Sequence, residues 1–121
     1  MIYLDNAATT FPKPPAVIRA VADCMENRGG NPGRGGHMLS RLCSESVFLC
    51  RENLAALIGC KNSERIIFTK NTTEALNTAI KGVLRPGDEV IISSMEHNSV
   101  LRSVVAMEKR GVTVKIARAD L

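Results

Sequence analysis

Tryptophan is absent from this chain, and its few aromatic rings are Tyr3, Phe11, Phe48 and Phe68. Single-strand nucleic-acid binders stack bases on such rings within a basic groove. Here no run of Lys and Arg is interleaved with rings, and the net charge of +4 is spread along the chain. That pattern describes a solvated surface rather than a nucleic-acid footprint. No apolar run approaches the roughly 20 residues of a membrane helix, so no membrane association is expected. The segment Met1-Ile2-Tyr3-Leu4-Asp5 lacks the basic and long apolar regions of a signal peptide, which makes the cytoplasm the expected location. The cysteines at 24, 43, 50 and 60 form no C-x-x-C pair and have no histidine at zinc spacing, so no metal site is expected. Cys43 and Cys50 fall seven apart in a helical pattern and are expected to share a buried face as reduced thiols.

What is present suits one modest globular domain: 121 residues, of which 45% are hydrophobic. Residues 2–5 form a short extended segment, followed by the small, polar loop Asn6-Ala7-Ala8-Thr9-Thr10. The prolines of Phe11-Pro12-Lys13-Pro14-Pro15 lead into an amphipathic helix over 15–26, with Val17, Ile18, Val21 and Met25 on one face. Residues 27–37 carry five glycines, together with Asn31, Arg34 and His37. Such a loop is either a flexible linker or a close-approach site, and spacing alone does not choose between them. It is neither a P-loop, since no Lys-Ser or Lys-Thr follows, nor a dinucleotide fingerprint, since a helix precedes it. A long helix should run from Ser40 to Ile58 and stop at Gly59.

From residue 66 short strands and helices alternate. Ile66–Thr69, Glu89–Ser93 and Val112–Ala117 read as strands, Thr73–Leu84 and Asn98–Arg110 as helices, and Arg85-Pro86-Gly87-Asp88 as a turn. The fold class is therefore α/β: N-terminal helices over 1–65, then a β-α-β-α-β unit over 66–121 that argues for a mostly parallel sheet. Ligands on such sheets bind beyond the carboxyl ends of the strands. Two polar turns are expected there. One is Lys70-Asn71-Thr72-Thr73, where Asn71, Thr72 and Thr73 can cap a helix and offer its first amides to an anion such as phosphate; both uses draw on the same N–H groups. The other is Ser94-Met95-Glu96-His97-Asn98-Ser99. Here Asn98 or Ser99 is expected to cap, and His97 is either a locally packed residue or a group for proton transfer and ring stacking.

Four ordered segments together resemble one family: Tyr3-Leu4-Asp5-Asn6-Ala7-Ala8-Thr9-Thr10, Gly30-Asn31-Pro32-Gly33-Arg34-Gly35-Gly36-His37, Asn71-Thr72-Thr73-Glu74-Ala75-Leu76-Asn77 and Met95-Glu96-His97-Asn98-Ser99. The chain is similar to the N-terminal portion of a cysteine desulfurase, in the class V branch of fold-type I pyridoxal-phosphate (PLP) enzymes. The resemblance implies that 66–121 belong to the PLP-binding large domain. It implies PLP as cofactor, its phosphate held by Thr73 with Asn71 and Thr72. His97 would stack on the pyridine ring and act catalytically. Asn6, Ala7, Ala8 and Asn31 would line the substrate side, and Arg34 and His37 the pocket mouth. The implied reaction takes sulfur from L-cysteine, leaving L-alanine and an enzyme persulfide, in a homodimer that passes sulfur to an acceptor protein.

The same resemblance shows what these residues lack. None of Lys13, Lys61, Lys70, Lys81, Lys109 and Lys115 directly follows a histidine, as the family's Schiff-base lysine does. Asp88 and Asp120 stand in the wrong segments for the pyridinium partner, and no cysteine matches the sulfur-accepting position. The resemblance covers about a third of the family's length, so the rest of the large domain and a C-terminal domain are expected to lie outside these residues. The 121 residues alone are therefore expected to be inactive. Other readings are another class V PLP enzyme, such as an aminotransferase or a selenocysteine lyase, or a non-catalytic module that binds a partner or a phosphorylated ligand.

Overall fold

The structure, a computed structural model, describes residues 2–119, so Asp120 lies outside the described residues. The chain divides into two compact units, Met1–Ile66 and Ile67–Leu121.

In the first unit, α1 spans Pro15–Asn27 and α2 spans Met38–Leu57, followed by a 3-10 turn at Ser63–Arg65. Pro15 at the first position of α1 costs no hydrogen bond, because that amide has no helical acceptor. The expected amphipathic face is present, yet α1 has no buried residue: Val17, Ile18, Val21 and Met25 are all exposed. At its C-terminal end Asp23 accepts from Asn27 and Arg28, and Arg28 also donates to Ser46 Oγ on α2. The Asn27 hydrogen bond, the largest influence, holds the Asp23 carboxyl below its ordinary value; desolvation opposes it, and the Arg28 hydrogen bond and charge add to the lowering. Helix α2 ends as expected: Gly59 takes φ +69°, Cys60 N donates to Ala55 O and Gly59 N to Ala56 O. This is the reciprocal pair of a Schellman stop.

The glycine-rich segment is a built loop. Ser40 is 1% exposed, and its hydroxyl lies 2.8 Å from Asn31 O and 3.0 Å from Arg34 O. Ser44 Oγ receives Gly33 N, and the Cys43 thiol donates to Arg28 O. Gly30 passes so close to α2 that an added Cβ would lie 2.5 Å from the Leu39 carbonyl carbon. Cys43 is buried as expected, whereas Cys50 is exposed. Helix α2 is covered at its loop-clamped start, and seven residues on, no described residue buries the same stripe.

The second unit holds α3 (Thr72–Val83), β1 (Glu89–Ser93), α4 (Asn98–Glu108) and β2 (Thr113–Ala117). The strands pair in parallel, Glu89 opposite Thr113 through Ser93 opposite Ala117, and α4 is the crossover between them. A Lys115–Glu89 ion pair closes one end of the register. The Arg85–Asp88 turn forms as read, with Gly87 at φ +94° and Asp88 N donating to Arg85 O. Ile92, Val104, Met107 and Val112 form the core. Helical spacing over Leu101, Val104, Val105 and Glu108 matches the buried face of α4 only at Val104: Ser99, Ser103, Val104 and Met107 are inside, while Leu101 and Val105 are exposed. Helix α4 packs on α3. Ser103 satisfies its buried hydroxyl by donating to Ser99 O.

One expected strand is not formed. Ile66 is extended (φ −84°, ψ 114°), but Ile66–Thr69 joins no sheet among the described residues, and Ile67 is 76% exposed. A strand exists only as half of a ladder. Here β1 and β2 pair with each other, and among the described residues this apolar run has no ladder partner.

Two outcomes follow. Gly30→Ala should destabilise the first unit by about 1–3 kcal/mol in urea unfolding, as overpacking against fixed backbone does, while Gly36→Ala, with nothing within 4 Å, should change little. With Ile2, Leu4, Ile18, Met25, Leu57 and Ile67 more than half exposed, sedimentation should show a mass that rises with concentration. A concentration-independent monomer with a sharp melt would contradict this.

Candidate functional site

Two of the expected residues meet in the second unit. Thr73 at the start of α3 and His97 before α4 line one hollow of about 290 Å³, together with Asn77, Asn98, Ser99 and Arg102. The lining joins the first turns of both helices, whose leading amides have no helical acceptor. At α3, Asn71 Oδ1 accepts from Glu74 N at 2.9 Å, and Glu74 Oε2 accepts from Lys70 N. Asn71 is thus occupied as the cap. The Thr72 and Thr73 amides remain as the first-turn donors.

His97, and not Asn98 or Ser99, is the N-cap of α4. Its Nδ1 accepts from Ser99 N at 3.1 Å and lies 2.8 Å from Ser99 Oγ. With the Nδ1 lone pair taken, the ring proton sits on Nε2. The ring is exposed while its orientation is tied by the cap. Glu96, its neighbour, accepts from Ser93 N and Ser93 Oγ and does not line the hollow. Among the described residues no carboxylate lines it, and Arg102 brings a positive charge.

Arg102 was not singled out from the sequence; Asn77 stood only within a quoted motif, and Ser99 only as a candidate cap. The signal for Arg102 was its spacing: four residues past Asn98 and three past Ser99, it falls on the same face of the first helical turns.

In the first unit, Asn31, Arg34 and His37 gather around buried Ser40. Asn31 and Arg34 contribute carbonyls, and His37 caps α2 through Nδ1 and Ser40 N. A larger hollow of about 660 Å³ nearby is lined by residues such as Gly33, Arg41 and Glu45, but by none of these three. Asn6, Ala7 and Ala8 lie exposed in a turn closed by Ala8 N to Asp5 O. The Asn6 side chain accepts from Phe11 N, and Tyr3 donates to Thr9 O and packs edge-on against Phe11. The arm is therefore folded on itself.

The model of the class-V aminotransferase family matches residues 2–120. The chain belongs to this family. Among class-V relatives it is 37% identical over 120 residues to a probable cysteine desulfurase of Methanothermobacter thermautotrophicus, covering 98% of this chain and 30% of that one. It also superposes on the apo structure of a cysteine desulfurase from Thermococcus onnurineus NA1, with TM-score 0.84 and 31% identity over 98% of this chain. A C-DES mutant with glycine covalently linked to its PLP cofactor shares the fold, with TM-score 0.60 and 20% identity over 86% of this chain and 26% of that one. The class-V α/β architecture expected from the sequence is thus the one found. The chain spans about 30% of the length of the curated relatives it matches. Among the described residues no helix is long and apolar enough to cross a membrane.

The two caps can be separated from any ligand role. Asn71→Ala and His97→Ala should each lower stability by about 1 kcal/mol in thermal unfolding followed by circular dichroism. His97→Asn should recover most of that loss, because Asn also caps well, while removing the ring.

Proposed function

We propose that this chain is the N-terminal part of a PLP-dependent cysteine desulfurase of the cytoplasm. The whole enzyme takes sulfur from L-cysteine, leaves L-alanine, and passes the sulfur through a cysteine persulfide to an acceptor protein, as a homodimer. The observation that carries this reading is the shared hollow of Thr73 and His97 at two helix starts, in a chain whose relatives are named cysteine desulfurases.

The donor set fits the phosphate end of the cofactor. The Thr72 and Thr73 amides stand at the positive end of α3, and Thr73, which lines the hollow, adds a hydroxyl donor. A volume near 290 Å³ accommodates a small ligand. When bound, PLP supplies the electron sink that loosens bonds at the substrate's α-carbon. The chain's own contribution is to grip and orient. Thr73 fixes the phosphate, and His97 offers a ring face to the pyridine. Because Nδ1 is held by Ser99, any proton that His97 gives or takes passes through Nε2. Asn6, Ala7, Ala8, Asn31, Arg34 and His37 are assigned to the substrate side and its mouth. The Schiff-base lysine, the pyridinium partner and the persulfide cysteine are not among these residues, so the 121-residue chain alone grips without catalysing.

The test is a spectral titration of the chain with PLP. Expected are weak binding that inorganic phosphate competes away, no covalent adduct after borohydride, and no sulfide from L-cysteine. Thr73→Val should weaken the binding by about tenfold, the worth of one hydrogen bond to a charged group. Absence of phosphate-competed binding would sink the cofactor reading. Sulfide release or a stoichiometric adduct would sink the claim that the chain grips without catalysing.

A further inference from the structure

The gripping residues assigned above are all uncharged, whereas a phosphate monoester carries about −1.5 to −2 at neutral pH. Each helix N-terminus is equivalent to roughly +0.5 charge. The hollow joins the starts of α3 and α4, so the two together offset only about half of a dianion. One full positive charge closes the difference, and one is present. Arg102 lines the same hollow. Its side chain makes no ion pair or hydrogen bond among the described residues. The acids nearest in sequence to the two helix starts are engaged elsewhere, Glu74 with Lys70 N and Glu96 with Ser93. Helical side chains lean toward the N-terminus, which carries a guanidinium one turn inside α4 back over the first turn.

We propose that Arg102 is a phosphate ligand of this site: its guanidinium pairs with the phosphate monoester of the cofactor and selects the phosphorylated form over its alcohol. This rests on the cofactor reading above and adds a residue and a charge to it. A guanidinium suits the task because its planar fork can take two phosphate oxygens at once. The site is open, so the pairing is salt-sensitive.

The experiment measures affinities of the 121-residue chain for inorganic phosphate, PLP and pyridoxal, at low and high salt. Arg102→Gln should weaken phosphate and PLP by about tenfold at low salt, in the range of a charge-assisted contact, and leave pyridoxal unchanged. Arg102→Lys should restore part of the loss, since the charge remains but the fork does not. Arg110→Gln, which removes the same charge beyond the end of α4, should leave all three affinities as they were. Circular dichroism of each variant checks that the helices are intact. If Thr73→Val weakens phosphate and Arg102→Gln does not, the Arg102 assignment fails and the cofactor reading stands. If Arg110→Gln matches Arg102→Gln, the effect is net charge and the assignment also fails. If the unmodified chain binds neither phosphate nor PLP, the cofactor reading itself fails.

Discussion

Two parallel strands cannot be joined by a tight turn, and the second unit follows from that constraint. The chain leaving β1 at Ser93 must travel back before it can pair again as β2, and α4 makes the return. The helix therefore starts just past the carboxyl end of a strand. Helix α3 packs beside α4, and the shared hollow brings their first turns together. Free amides, aligned dipoles and the side chains of the first turns are concentrated there by topology. A lone helix start is a weak anion site. Two starts sharing one hollow, with a guanidinium and, among the described residues, no carboxylate, make a stronger field.

Histidine illustrates how one residue serves fold and site together. Both histidines of the chain cap helices through Nδ1, His37 on Ser40 N and His97 on Ser99 N. At His97 this use has a chemical consequence, because the cap fixes the tautomer and tethers the ring while Nε2 stays available. At His37 the cap works beside a buried serine hydroxyl that ties the glycine-rich loop to α2. The question left by composition, linker or close-approach segment, is resolved by contacts at Ser40 and Gly30 that no count of glycines contains.

Much of the backbone was legible. Periodicity located four helices to within about two residues and two strands closely, as expected for long periodic segments. The helix-capping turn at Asn71–Thr73 was legible because Asn and Thr are common cap residues. Ile66–Thr69 was misread because an apolar run states only that it would accept a partner. Cys50 was misread because helical spacing says which residues share a stripe, not how far along the stripe the cover extends. Arg102 was not legible because it lies inside the helix that follows the turn, and only the fold brings it to the same hollow.

The sequence by itself determined the α/β alternation, the helix stop at Gly59, the Arg85–Asp88 turn and the family, since these depend on local preference and ordered motifs. Tertiary structure decided which strands pair, which face of α4 is buried, which residue caps it and which charge joins Thr73 and His97. Those outcomes depend on what lies across space from each residue. A one-dimensional pattern constrains such neighbours only through periodicity, and periodicity leaves the partner unnamed.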